Sequence, residues 1–377
     1  MAKITRLCTQ FQHIFAINLP SRTDRRDAMT LAAALTELDI TWIDGVAGKD
    51  VPDKVLPGDP NDRQPGFTVG NKGSWRAHMN VLQRWGVPAA RVANPGSLMW
   101  DHRIAQQNIT SALILEDDAD WDVRLKQQMQ VFAQAARAFT QPSNGQTLAE
   151  QYSAEPGTEF PVTQSPPVSL PQVTPYGESW DVLWLGHCGT EFPVSTAPNK
   201  ASTLRVTIPD DLTVPPPRHL KAHPFALQDT LAQEYPPHTR VVHASSRTTC
   251  TQAYAVSQQG ARKLLWRFGL QTLTTGWDLM LRDWCDGVYT DPGAGTTGTT
   301  LGSGRGRAPV CVTVQPPLFS HHYGKGAASD IMAPGGGFVN KEKEMTPYVR
   351  LSVRLNMERL VAGEEPVEQW ADDDSDV

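Results

Sequence analysis

One short stretch constrains this chain more than any other: Leu113-Ile-Leu-Glu-Asp-Asp-Ala-Asp-Trp-Asp122. It delivers five carboxylates, Glu116, Asp117, Asp118, Asp120 and Asp122, within seven residues. The run before them, Ser111-Ala-Leu-Ile-Leu115, lacks polar alternation, which is the pattern of a strand covered on both faces. In open α/β sheets the ligand site lies beyond the carboxyl ends of the strands, where these acids fall. Carboxylates so crowded repel one another unless a positive charge sits among them. Hard oxygen donors without cysteine suit Mg²⁺ or Mn²⁺, ions that keep waters and share substrate phosphates. The same residues also suit a turn and helix start, because Asp is favoured at N-caps and in first helical turns.

Alternation of strand and helix extends this pattern. Ile14–Leu19 is a second apolar run, followed by Ala28, Leu31, Leu35 and Leu38 at helical spacing, with Asp24 as the expected N-cap and Ile40–Ile43 returning to the sheet. Trp75, Met79, Leu82 and Trp85 give another helical stripe, and Asp181–Leu185 and Val310–Val314 read as further strands. Ala253–Val256 leads through Ser257, an N-cap, into a helix marked by Ala261, Leu264, Leu265 and Phe268. The expected class is α/β with a mostly parallel central sheet.

At 377 residues the chain has length for one large domain or two. Pro-rich stretches at about 141–179 and 207–240 and a Gly/Thr/Ser loop at 292–309 read as insertions without cores of their own. The expected division is an extension at 1–11, one domain at 12–345, and at 346–377 a helix opened by Thr346-Pro347 and an acidic tail. A net charge of −6, from 34 basic and 40 acidic side chains, supplies no basic face for nucleic acid. No apolar window approaches the roughly 18 residues of a membrane span, and no signal peptide is legible at the start. Cys8, Cys188, Cys250, Cys285 and Cys311 contain no CxxC pair. Buried thiols fit the last four, as do two disulfides in an oxidising compartment.

Other residues also suggest chemistry. In Ile17-Asn-Leu-Pro-Ser-Arg-Thr-Asp-Arg-Arg26, Arg25 and Arg26 stand in the first turn of a helix, where the dipole disfavours cations. A diphosphate held by helix N–H groups and guanidinium would explain them, as would pairing with Asp24 and Asp27. His321 and His322 end a late strand, and either could complete a metal shell. Asp278 near a helix start is a candidate general base, or an acid serving the dipole. Asn108-Ile-Thr110 is a glycosylation sequon.

Five motifs in order carry a family resemblance: Ile17–Arg26, Gly73-Ser-Trp-Arg-Ala-His78, Leu113–Asp118, Leu183-Trp-Leu-Gly186 and Ala253-Tyr-Ala-Val-Ser-Gln-Gln-Gly-Ala261. Their arrangement resembles glycosyltransferase family 25, which includes lipooligosaccharide and collagen galactosyltransferases. The strings Trp184-Leu-Gly-His-Cys-Gly189 and Val314-Gln-Pro-Pro-Leu-Phe-Ser-His-His322 look most like its filamentous-fungal members. The resemblance implies a GT-A fold with one nucleotide-binding domain, a UDP-sugar donor, Mn²⁺ (or Mg²⁺), inversion at the sugar carbon, and a glycan or glycoprotein acceptor.

By motif, Asn18, Leu19, Arg22, Asp24 and Arg25 would hold the nucleotide together with His78, Glu116 and Asp117. Asp118 would be the direct metal ligand, with Asp120, His321 and His322 as further candidates, and Asp278 would be the base. The Pro-rich insertions depart from the bacterial and animal pattern, which leaves the acceptor open. Secretory relatives, the sequon and four body cysteines point to the endoplasmic reticulum or Golgi, and the missing leader points to the cytosol. Two other readings stand beside the transferase. One is a carbohydrate- or partner-binding protein that keeps the fold without turnover. The other is a glycosidase using Glu116 and Asp120, whose proximity in sequence places them poorly to flank a glycosidic bond.

Overall fold

The computed structural model describes residues 11–86, 110–194, 202–220, 229–289, 308–324, 331 and 344–373. Cys8, Asn108, nearly all of the 292–309 loop and the last four residues lie outside them. Among the described residues eleven strands form one sheet. They are β1 (His13–Asn18), β2 (Ile40–Asp44), β3 (Ser111–Glu116), β4 (Ala119–Trp121), β5 (Glu159–Pro161), β6 (Val182–Gly186), β7 (Arg205–Ile208), β8 (Arg240–Ala244), β9 (Ala253–Ser257), β10 (Cys311–Gln315) and β11 (Phe319–His321). The helices are α1 (Thr23–Leu35), α2 (Val69–Gly86), α3 (Leu125–Thr140), α4 (Leu148–Gln151), α5 (Leu231–Glu234), α6 (Gln258–Trp266), α7 (Trp277–Cys285) and α8 (Met357–Val361).

The sheet order is β2-β1-β3-β9-β6-β10-β8-β7-β5, with β11 beside β6 and β4. Eight of the eleven strands point one way; β4, β8 and β9 run against them. This is the mostly parallel α/β sheet expected from the sequence, and it is compatible with a GT-A fold. One edge therefore gathers the carboxyl ends of β1, β2, β3, β6 and β11 together with the start of β9. Both faces are covered: Leu113 and Leu115 of β3 join a core with Met29, Phe132 and Phe319, whereas Ala112 and Ile114 join one with Trp75, Met79 and Trp277. Full burial of each large β3 side chain stabilises the fold by about 1.5–3 kcal/mol. Among the described residues no helix is long and apolar enough to cross a membrane.

Several local expectations are corrected. Helix α1 is capped by Arg22, with Asp24 inside its first turn. Its buried face is Met29, Ala32 and Ala33, while Leu31 is exposed. The shift in phase brings Arg25, four residues before Met29, onto the inward side, where its guanidinium meets acids at the end of β3. Ser257 caps α6 as expected, its hydroxyl accepting from the Gly260 N–H at 3.0 Å.

No helix opens at Thr346-Pro347. Residues 346–356 form turns and bridges, and among the described residues of this segment the five-residue α8 is the only helix. The Thr346 and Ser352 hydroxyls and the Arg354 N–H bond instead to Asp120 of β4, a competing solution to helical pairing. The Pro-rich stretches also join the main structure. Leu148, Ala149 and Tyr176 enter the core, and β5 pairs with β7 at the sheet edge. Finally, the four body cysteines form two disulfides, Cys188–Cys250 and Cys285–Cys311, so the buried-thiol alternative is set aside.

Candidate functional site

A cavity of about 610 Å³ opens at the carboxyl edge, between β1, β3 and the start of α2. Ile17 and Leu19 line it from the end of β1 and the residue after it, residues 45–49 from the loop after β2, Thr68 from just before α2, Val69, Gly70, Gly73, Ser74, Ala77 and His78 from α2, and Glu116–Asp118 from the end of β3 and the turn after it. Glycine sets the approach of the loop to the helix. A Cβ on Gly48 would lie 1.7 Å from the Val69 carbonyl oxygen, and one on Gly73 would lie 2.3 Å from that of Val46.

The acidic residues divide into two groups. Glu116, Asp117 and Asp118 face the cavity with His321 and Arg25. Arg25 Nη1 donates to Asp117 Oδ1 at 2.7 Å and to Asp118 Oδ2 at 2.8 Å. Asn18 Nδ2 donates to the other Asp117 oxygen at 2.8 Å, and His321 Nε2 stands 3.2 Å from Asp118 Oδ2. The positive charge demanded by the crowded acids is thus present in the chain itself, and it comes from Arg25.

Asp120 and Asp122 belong to the framework. Asp120 is fully enclosed. Its Oδ1 accepts from the Trp121 and Arg354 N–H groups at 2.8 and 3.2 Å, and its Oδ2 from the hydroxyls of Thr346, at 2.6 Å, and Ser352. Both oxygens are filled by two donors each, so the structure sets Asp120 apart from the cavity acids. His322 Nδ1 lies 3.1 Å from Thr346 Oγ1; because that hydroxyl donates to Asp120, the imidazole donates to it. Neither residue lines the cavity. Asp122 pairs with Arg124 at 2.8 Å.

Electrostatics separate the three cavity acids. Burial first, and then the Asp118 carboxylate, push Glu116 up to about 8, while the Thr251 hydroxyl donated to it at 2.6 Å works the other way. Asp117 is also raised, by burial and then by Asp118. For Asp118 burial opposes ionisation, but His321 and Arg25 together outweigh it and hold this carboxyl well below the ordinary range. Of the three, only Asp118 is shifted toward its ionised form, as expected when like charges share a site. His78 is held neutral by burial, its pKa down to about 3. It stacks on Trp277 at 4.9 Å and its Nδ1 lies 2.9 Å from the Tyr254 hydroxyl.

The donor set suits a hard divalent cation in part. Asp118 Oδ1 is buried and has no hydrogen-bond partner among the described residues, and the same is true of Asn18 Oδ1 and His321 Nδ1. No group of three or more His, Cys, Asp or Glu side chains among the described residues is already arranged to hold a metal. With water and phosphate supplying other oxygens, Asp118 could hold such an ion, joined by His321 once the imidazole gives up its proton.

The remaining expected residues are placed less directly. Leu19 lines the cavity, whereas Arg22 pairs with the exposed Asp24 at 2.7 Å. Asp278 does not line it; its Oδ2 accepts the Cys250 N–H at 3.1 Å, and burial raises its pKa against that bond. Thr251, Tyr254 and Arg354 escaped sequence reasoning. Thr251 and Tyr254 reach the site because β9 runs against its neighbours and begins at this edge, a direction that no local pattern encodes.

No family model matches the chain. Among curated proteins it is similar to procollagen galactosyltransferase 1-B of Xenopus laevis, with 28% identity over 130 residues. The match covers 32% of this chain and 18% of that protein, so the chain spans less than a fifth of the relative's length.

Proposed function

We propose that the chain transfers a sugar from a UDP-sugar to a hydroxyl of a glycan or glycoprotein, with galactose as the first donor to test. The observation that carries this reading is Asp118: an ionised carboxylate with one partnerless buried oxygen, facing a nucleotide-sized cavity at the carboxyl edge of the sheet. Its similarity to a galactosyltransferase supports the same class. Asp118 and His321 would hold Mn²⁺ or Mg²⁺, which would neutralise charge on the diphosphate leaving group.

The chain's own groups do the rest. Arg25 and Lys49 bring positive charge to the cavity, and Ile17, Leu19 and Val46 supply an apolar wall. His78, held neutral, is free of charge repulsion with an incoming cation. Asp278 stands outside the cavity lining but close enough for its charge to act on Glu116, and from there it would take the acceptor proton in an inverting displacement, with burial shifting its pKa upward toward the range useful for a base. Two disulfides support an oxidising compartment as the setting.

Release of UDP from a panel of UDP-sugars, measured with Mn²⁺ and with chelator, tests the reading. Metal-dependent release is expected, and Asp278→Asn is expected to lower kcat by about 10²–10⁴-fold. Full turnover by that variant removes the base assignment. A second reading, a binding protein without turnover, draws on Arg25, which already neutralises the acids without a metal. UDP and Mn²⁺ that bind without release of sugar from any donor favour it.

A further inference from the structure

We infer that Arg354 is a positioning residue: through the backbone of the acidic loop it sets where Asp117 and Asp118 stand, so the segment 345–354 is part of the donor site although it contributes no side chain to the cavity. This rests on the proposed function and extends it to a region far away in sequence. Arg354 Nη2 donates to the Asp117 carbonyl oxygen at 2.7 Å, and its Nε to that of Ala119 at 3.1 Å. One planar guanidinium therefore spans both sides of Asp118, a geometry that a point-like ammonium cannot reproduce.

The segment is fixed on the loop from several directions. Leu351 O accepts from the Val123 N–H at 3.0 Å, Val353 N–H donates to the Trp121 oxygen at 3.0 Å, and Leu351 N–H donates to Asp122 Oδ2 at 3.0 Å. Asp120, with its four donors, ties the same two stretches together. Opposite, a bridge from Met345 to Tyr323 and the bond from His322 N–H to the Asp118 oxygen at 2.8 Å hold the strand that carries His321. Asp118 and His321 are held together directly by the pairing of β11 with β4 and by the His322–Asp118 backbone bond, and this segment buttresses both from the far side of the acidic loop. Groups that orient a ligand without touching the metal typically change its affinity 10–100-fold.

The test compares wild type with Arg354→Met and Arg354→Lys, using Arg359→Met on the exposed surface as a control for loss of charge. Mn²⁺ affinity is measured without donor from the free-ion electron paramagnetic resonance signal, and kcat and donor KM at rising Mn²⁺. Arg354→Met is expected to weaken Mn²⁺ binding about 10–100-fold and to regain turnover in excess Mn²⁺, which an unfolded variant cannot do. Arg354→Lys is expected to share most of the loss, and Arg359→Met to behave as wild type. Wild-type protein that binds Mn²⁺ while both Arg354 variants bind it equally well overturns the role of Arg354. Wild-type protein that binds no Mn²⁺ overturns the functional reading itself.

Discussion

Asp118→Asn is expected to lower sugar transfer by on the order of 100-fold or more, because even groups behind a metal ligand typically cost 10–100-fold. The substitution keeps shape but removes the one acid of the cavity whose surroundings shift it toward ionisation. An amide also presents N–H groups toward Arg25 and His321, which now contact Asp118 Oδ2 at 2.8 and 3.2 Å. Stability is expected to move little. The lost ion pair to Arg25 is offset in part, since Asp117 still binds Arg25 and the repulsion that raises Asp117 and Glu116 is relieved. Turnover and melting temperature measured on the same preparation check this; full activity, with or without chelator, would sink the metal role.

The second large effect concerns Cys188–Cys250. This disulfide closes a separation of 62 residues, and in the chain-entropy account a loop of that length stabilises by about 4 kcal/mol. It joins the turn after β6 to the stretch that enters β9, where Thr251 donates to Glu116 and the Cys250 N–H to Asp278. The double variant Cys188→Ala/Cys250→Ala is therefore expected to lose both stability, on the order of 5–10 °C in Tm, and transfer activity at temperatures where it stays folded. Cys285–Cys311 provides the comparison. It closes 26 residues and ties the end of α7 to the start of β10, at the opposite edge of the sheet. Its removal is expected to destabilise by a similar amount, about 3–4 kcal/mol, and to leave kcat/KM near wild type. Equal activity losses in the two pairs would argue against a local role for Cys188–Cys250.

Sequence legibility followed the range of the forces involved. β3, β6 and β9 could be read because strands covered on both faces must be nearly continuous in apolar residues, and Ser257 because a cap acts three residues away. The phase of α1 could not, because Arg25 answers to partners 92 and 93 positions along the chain. Asp120 looked like its neighbours for the same reason. The hydroxyls that fill it come from 226 and 232 residues further on, in a segment whose Pro at an apparent N1 position suggested a helix. Disulfide pairing was closed to sequence reasoning too, since four cysteines allow three connectivities. Glu116, Asp117, Asp118 and His321, read from strand ends, and His78, which only the family resemblance singled out, all line one cavity, while Asp120 and His322 are spent on holding the loop.

The most direct measurement is a calorimetric titration of UDP into the protein with Mn²⁺ and with chelator, repeated on Asp118→Asn. The account predicts saturable binding that requires the cation in wild type and is lost in the variant. UDP that binds equally well in chelator, or that binds neither protein under any condition, would contradict it.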